Sequence, residues 1–313
     1  MVTIIIPFFD ELNYLEEAIT SVLDQRLEDF EILIVCNQAQ LPDELPGELP
    51  VFNHPSIRWL VEPKRGSAFA RNTGLREARG TWLQFLDVDD LLVSSKIKTQ
   101  LKYPDAAIVV SPHIYHFLSG KEVASAWSPT DIWAGLLASE IGSTSSMLWR
   151  KEAVQKVGGW NEAYYSNQEY ELIFRILQAG YSVQADAENF TIVRERPSGS
   201  ITKTARHKPR TGIQLREHIW AFLEQNHLAT STRYRAFQKL VFKNLRALHI
   251  TDPHEANRLY RQYFDGTAFK PELAAIRIYP LLYHVLGFDL TEKLIRVYRA
   301  VRQHIFKSLP FNT

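Results

Sequence analysis

Three carboxylates, Asp87, Asp89 and Asp90, fall within four positions directly after the apolar run WLQFL (82–86). Carboxylates this close repel one another, and the end of a packed strand is a poor place for uncompensated charge. Side chains two apart at a strand end can turn into one site, where a hard divalent cation held by oxygen ligands would relieve the repulsion. The same residues would serve equally as a cap if a helix began near Leu91. Upstream, KRGSAFARNTGLREARG (64–80) sets Lys64, Arg65, Arg71 and Arg76 around glycines, with Gly66 opening a helix. Basic side chains and free N–H groups at a helix start suit a pyrophosphate, and a solvated amphipathic helix would carry the same composition. Downstream, VGGWNEAYYSNQEYELIFRILQAGY (157–181) holds Glu169 and Glu171 near a helix start. Residues two apart do not share a helix face, so at most one of them looks into a given cleft. A glutamate beside Trp160 and Tyr164 could act as a general base; the alternative is a carboxylate stabilised by the helix N-terminus.

The elements that must position these groups follow from periodicity. VTIIIPFF (2–9) is a continuous β-branched and aromatic run, which predicts a strand buried on both faces. Asn13 then precedes a helix with Leu15, Ala18, Ile19, Val22 and Leu23 at helical spacing, and Glu16 completes a capping-box-like start. FEILIVC (30–36), IRWLVE (57–62) and TWLQFLD (81–87) read as further strands, with a proline-rich loop over 37–55 and a helix over 67–78. Strands alternating with helices predict βαβ crossovers and a mainly parallel sheet. Ligands gather at the carboxyl ends of such strands, where Asp87 to Asp90 lie. From 105 to 196 the pattern loosens into short strands (AIVVS, SSMLW, TIVRER) and two helices, near 151–157 and 168–179. Beyond about 206, helical periodicity dominates.

The whole chain adds few exclusions. Its 313 residues accommodate one large domain or two smaller ones. Residues 1–205 carry 18 Lys/Arg and 27 Asp/Glu, whereas 206–313 carry 18 and 8, so an acidic body precedes a basic tail. One cysteine, Cys36, excludes an intramolecular disulfide and favours a reducing compartment. The start lacks the features of a secretory leader, and AAIRIYPLLYHVLGF (274–288) is too interrupted by Arg277, Pro280 and His284 to span a bilayer.

Taken in order, TIIIPFFDELNYLEEAITSVLDQRLEDFEILIV, RGSAFARNTGLREARGTWLQFLDVDD and SSMLWRKEAVQKVGGWNEAYYSNQEYELIFRILQAGY resemble the family 2 nucleotide-sugar glycosyltransferases, inverting enzymes of the GT-A fold. The likeness covers roughly residues 2–196. It implies a GT-A-type, Rossmann-like sandwich with a mainly parallel sheet over 1–205, the catalytic domain, followed by a helical basic region over 206–313. It also implies a nucleoside diphosphate-sugar donor, most often a UDP-sugar, and a divalent cation, Mn²⁺ or Mg²⁺. Asp87 and Asp89 match the family's Asp-x-Asp motif, with Asp89 the direct metal ligand, Asp87 nearer the ribose and Asp90 supporting. Pro7 and Glu11 match the pocket for base and ribose. Arg71 and Asn72 match a segment bordering the nucleotide, and Arg65, beside Gly66, is a further candidate for the donor. Glu169 falls on the general-base position, with Gln168 where the family has an acid. Asn37 stands in for an aspartate that contacts the base, its amide offering donor and acceptor. Arg194, Arg196 and His207 lie in a region that leads to a flexible active-site loop.

The activity this implies is sugar transfer to a hydroxyl in glycan or polysaccharide assembly, by a chain at home in the cytoplasm or on the inner face of a membrane. The departures at Asn37 and Gln168 motivate a rival, a catalytically silent homologue that binds nucleotide or glycan. A rival within the enzymes uses a polyprenyl-phosphate acceptor. For the tail, three readings stay open: a helical subdomain packed on the body, a face for a second copy, or a basic amphipathic surface for anionic lipid centred on 293–311. No nucleic-acid-binding motif accompanies the charge.

Overall fold

Strand β1 (Val2–Phe8) is buried along its length except for half-buried Pro7, as its β-branched run requires. It pairs in parallel with β2 (Phe30–Cys36) on one side, with β3 (Ile57–Val61) beyond, and with β4 (Trp82–Phe85) on the other. The β4 ladder ends at Ile5 opposite Phe85, with one further bond from the Leu86 N–H to the Ile5 carbonyl. Alternate residues of β1 face alternate neighbours, so Pro7 faces the β4 side just past that last bond. Its missing N–H therefore costs no ladder hydrogen bond and marks the place where the acidic loop peels away.

The computed structural model describes residues 1–10, 12–41, 50–128, 130–187, 191–197, 209–267, 269–271 and 278–308. The chain divides into two compact units, Met1–Ala205 and Arg206–Thr313. Within the first, the later strands are short: β5 (Leu91–Leu92), β6 (Ile108–Val110), β7 (His113–His116), β8 (Glu122–Ala124), β9 (Leu148–Arg150), β10 (Val183–Ala185) and β11 (Thr191–Arg194). Among the described residues, seven strands form one sheet in the order β10-β6-β9-β4-β1-β2-β3, in which β9 alone runs antiparallel to its neighbours. The mainly parallel sheet expected from the sequence is thus present. A second sheet, β5-β11-β7-β8, was not expected.

Helix α1 (Leu12–Leu23) buries Leu15, Ala18, Ile19 and Val22 as the spacing predicts, but it starts at Leu12. Asn13 therefore lies inside the first turn and is not its cap. Helix α2 (Ser67–Glu77) is buried nearly all round, including the polar Arg71, Asn72 and Thr73. It runs so close to β1 that a β-carbon at Gly74 would stand 2.4 Å from Ile5. The helices α3 (Lys96–Gln100) and α4 (Ile132–Ala138) went unforeseen. The second is capped by Asp131, which accepts from the N–H groups of Trp133 and Ala134. Then α5 (Lys151–Lys156) and α6 (Gln168–Gln178) fall where periodicity puts them.

His113, on β7, is buried and packs edge-on to Tyr115 with ring centroids 4.6 Å apart. Neither ring nitrogen has a hydrogen-bond partner among the described residues, and burial holds its pKa down to about 4. With an unfolded value of 6.5, the unfolded chain takes up this proton first. The stability it supports is intact above about pH 6.5 and is lost as the pH falls toward 4, up to about 3 kcal/mol. We expect His113→Phe to flatten the stability-versus-pH curve over that interval in urea titrations. A difference curve between the two proteins that is level from pH 7 to 4 would refute this origin.

In the second unit, α7 (Pro209–Gln225), α8 (Ser231–Thr251), α9 (Pro253–Phe264) and α10 (Tyr279–Ser308) surround an aromatic core. Phe242 meets Phe264, Tyr283 and Phe288 at 5.6–5.7 Å between centroids. Thr230 caps α8, Asp252 caps α9 ahead of Pro253, and α10 is broken at Gly287.

Candidate active site

The loop after β4 carries the acidic triplet, and no helix follows it directly: Leu91–Leu92 is strand, and the next helix begins at Lys96. The cap reading of Asp89 and Asp90 therefore fails. The carboxylates also do not converge as three. Asp90 turns inward, 4% exposed, where the Ser145 hydroxyl donates to its Oδ2 at 2.6 Å. Burial, with the charges of Asp87 and Asp89 adding, raises its pKa well above the usual carboxylate range. Asp90, expected to support the metal, is turned away from the other two carboxylates and anchors the loop from below. The same Ser145 hydroxyl accepts from the Asp87 N–H at 3.1 Å. Among the described residues, no three His, Cys, Asp or Glu side chains are grouped around a position for an ion.

Asp87 and Asp89 face outward by different routes. Arg71 donates from Nη2 to Asp87 Oδ1 at 2.5 Å, leaving the other carboxylate oxygen of a 37% exposed side chain open. Asp89 is half-buried, with Arg196 Nε 3.8 Å from its Oδ2, and its carbonyl accepts from Arg194 Nε at 2.6 Å. Both arginines lie over the Tyr14 ring, and Arg194 also pairs with Glu17. Two outward carboxylates offering hard oxygens suit Mg²⁺ or Mn²⁺, which take one or two protein carboxylates and complete their shell with water and phosphate.

Arg71 itself is 4% exposed. Its Nη1 donates to the amide oxygen of Gln168 at 2.7 Å, and its guanidinium lies 4.6 Å from the centroid of Trp160. Ser67 donates to the same Gln168 oxygen at 3.1 Å. The start of α6 and the acidic loop are therefore joined through one buried guanidinium, and Gln168 accepts from it as a carboxylate would, without the charge. On α6, Glu171 points inward, 2.7 Å from Arg175 and bonded to Asn161. Glu169, on another face, is half-buried. Tyr115 shows where that face looks: its hydroxyl pKa is raised by burial and by the charges of Glu169 and Asp90.

Asn72, expected at the nucleotide, is occupied by the protein. Its Nδ2 donates to the Trp160 carbonyl and to Glu162, both at 2.9 Å, and its Oδ1 accepts from the Trp160 N–H at 2.8 Å. The turn it holds needs Gly159, whose φ of +75° is left-handed and where a β-carbon would come within 2.7 Å of Asn72 Oδ1. Asn37 is likewise occupied. Its Nδ2 donates to the carbonyls of Glu62 and Lys64, and its Oδ1 accepts from the Gly66 N–H. Its donors and acceptor fix the loop that presents Lys64 and Arg65. An aspartate could not donate to two carbonyls. We expect Asn37→Asp to cost about 1–3 kcal/mol in chemical denaturation, and an unchanged midpoint would show that the loop repairs itself.

Arg65 is exposed, its guanidinium 4.6 Å from the Phe9 ring centroid. A cavity of about 250 Å³ lies against Asp10, Leu12, Asn13 and Tyr14, where the chain leaves β1 just after Pro7. Glu11 and His207 lie outside the described residues. Two residues at the site carried no signal in the sequence. Ser145 sits on a 3₁₀ turn, and Tyr115 on an irregular short strand. The buried Glu62 was also missed; it accepts from the Lys64 N–H and the Thr73 hydroxyl.

Residues 3–157 match the model of glycosyl transferase family 2. An uncharacterized glycosyltransferase of Haemophilus influenzae is 28% identical over 243 residues, 72% of this chain and 79% of that one. Three rickettsial relatives are matched over a fifth or less of their own length. Among solved structures, Staphylococcus aureus TarS 1–349 in complex with UDP-GlcNAc aligns with a TM-score of 0.59 at 13% identity, over 96% of this chain and 91% of that one. The mannosyltransferase PcManGT of Pyrobaculum calidifontis, in complex with GDP-Man and Mn²⁺, aligns with a TM-score of 0.54 at 18% identity, over 95% and 87%. These two share the fold, a GT-A-like sandwich followed by helices. Residues 3–157, just under half of the chain, are thus similar to glycosyl transferase family 2, and the Haemophilus influenzae relative extends a glycosyltransferase likeness to 72% of the chain.

Proposed function

We propose that the unit over 1–205 moves a sugar from a nucleoside diphosphate-sugar to an acceptor hydroxyl in glycan assembly, by a single displacement that inverts the anomeric carbon. The observation that carries this reading is the Arg71 bridge, which ties the acidic loop through Asp87 to the start of the Glu169 helix through Gln168. Glu169 takes the proton of the acceptor hydroxyl as its oxygen attacks the anomeric carbon. The bond from that carbon to the diphosphate oxygen breaks, and negative charge builds on the leaving group. A divalent cation would be held by Asp89 and the open oxygen of Asp87, and supplies charge neutralisation for that diphosphate. Lys64 and Arg65, exposed on the loop fixed by Asn37, face the same anionic donor. Tyr115, partly exposed beside Glu169, borders the acceptor. The donor class and the cation draw support from the UDP-GlcNAc in the TarS structure and the GDP-Man and Mn²⁺ in the mannosyltransferase.

The test is calorimetric titration of UDP and GDP with and without Mn²⁺, followed by a screen of UDP- and GDP-sugars for donor hydrolysis. Metal-dependent binding of one nucleotide and hydrolysis of a matching donor are expected. No metal-dependent binding of either nucleotide at millimolar concentration would sink the enzyme reading.

A further inference from the structure

The second sheet, β5-β11-β7-β8, leads directly out of the acidic loop, because β5 begins at Leu91, the residue after Asp90. Its register fixes which side chains share a face. Thr191 pairs with His113 and Val193 with Tyr115 between β11 and β7, and Tyr115 pairs with Val123 of β8. Paired residues point the same way, and so do residues two apart along a strand. Thr191, Val193, His113, Tyr115 and Val123 therefore line one face, and Phe117 follows at the turn, its ring centroid 6.3 Å from that of Tyr115. The Thr191 hydroxyl donates to the Ser145 carbonyl at 3.3 Å, and the charges of Glu169 and Asp90 reach the Tyr115 hydroxyl. This face thus looks toward the reacting groups, whereas Arg194 and His116 belong to the opposite one.

Shape and chemistry select the occupant. Tyr115 is 42% exposed and Val123 38%, while buried His113 backs the tyrosine edge-on. Neighbouring strands stand about 4.8 Å apart, so Tyr115 is roughly 10 Å from β5 and Val123 about 5 Å further out. A shelf of that span receives a chain of rings rather than one small alcohol. A sugar ring carries C–H groups on its face and hydroxyls around its rim, which suits an open aromatic ring beside a polar site. None of the six side chains is positive at neutral pH, since burial holds the His113 pKa down to about 4. A polyprenyl phosphate would find no cation on this shelf, and its oxygen, already ionised, has no proton for Glu169 to take. Building on the sugar-transfer reading, we propose that the acceptor is a glycan end and not a polyprenyl phosphate, with one of its sugar rings stacked on Tyr115 and the chain leaving across Val123.

The test uses the full chain and the donor that the hydrolysis screen identifies. Acceptors are gluco-, manno-, galacto- and N-acetylglucosamine oligosaccharides of increasing length and, separately, undecaprenyl phosphate in detergent. Transfer to at least one oligosaccharide series is expected, with the acceptor KM falling as rings are added. Tyr115→Leu keeps an apolar side chain and loses the flat face, and is expected to raise the acceptor KM about three- to tenfold. Tyr115→Phe keeps the ring and is expected to stay within about twofold of the parent. The larger part of the leucine effect should lie in the acceptor KM rather than in kcat, and thermal midpoints show that both variants fold. Donor hydrolysis without transfer to any oligosaccharide, or transfer to undecaprenyl phosphate instead, would overturn the proposal. So would a leucine variant with the parental KM, or a phenylalanine variant as poor as leucine. A parent protein that hydrolyses no donor would sink the sugar-transfer reading itself, and this proposal with it, so the two failures are told apart.

Discussion

Replacing Glu169 with glutamine is expected to lower kcat for sugar transfer by about 10²–10⁴-fold, the range contributed by a positioned general base. The side chain keeps its shape and loses its ability to take a proton. Glu169 lies on α6 and half-buried, whereas the outward carboxylates lie on the loop after β4. Donor and cation binding should therefore be nearly untouched, and the loss should appear in kcat with nucleotide affinity within about twofold. Folding should also survive, since a partly buried carboxylate near a helix N-terminus contributes at most about 2 kcal/mol. The substitution removes one of the two charges that raise the Tyr115 hydroxyl, so the tyrosine should titrate at lower pH in the variant. Single-turnover transfer alongside nucleotide calorimetry separates the outcomes. An unchanged transfer rate would remove Glu169 as base; loss of nucleotide binding instead would place it in the donor pocket.

The parts of this site differ in how far the amino-acid pattern reveals them. The central strands are legible because β1 and β2 are apolar runs interrupted only by Thr3 and Glu31 and buried on both faces, and α1 and α6 are long enough to show a period. The second sheet is not, because its strands are two to four residues long and β8 is exposed throughout. Of its strands only β11 shows in the sequence, as TIVRER, and alternation hardly registers in the others. Residue types at the strand ends are legible too, but not their partners. Arg71 looks like a phosphate ligand until its contact with Gln168, 97 positions away, is seen. Asn37 looks like a base-reading amide, and its three bonds go instead to backbone 25 to 29 positions on. Asp90 is held inward by the hydroxyl of Ser145, 55 positions away. Side-chain hydrogen bonds across such distances leave no periodic trace.

Those long-range contacts also set the second large effect. Arg71→Met keeps much of the buried stem and deletes the guanidinium, and we expect it to cost about 3 kcal/mol of stability. Removing one partner of a buried ion pair typically costs about 3–5 kcal/mol. The lower end applies because the Asp87 side chain is 37% exposed and water can take over part of the lost partner's role. Gln168 is less fortunate: its buried amide oxygen would keep only the Ser67 hydroxyl as donor. Activity should fall further than stability accounts for, because Asp87 and the start of α6 would no longer share a fixed point. Transfer would drop by two orders of magnitude or more if misplacement of about 1 Å is as costly here as in other enzymes. Arg71→Lys discriminates between charge and geometry. A lysine restores the positive charge but has no planar fork to reach Asp87 and Gln168 together. If charge alone matters, lysine should recover both stability and transfer, whereas the bridge requires that it recover part of the stability and little of the transfer. Urea midpoints and kcat for the parent and both variants decide between them. A lysine variant with parental kcat would show that Arg71 holds a charge in place and does not set the distance between the acidic loop and the base.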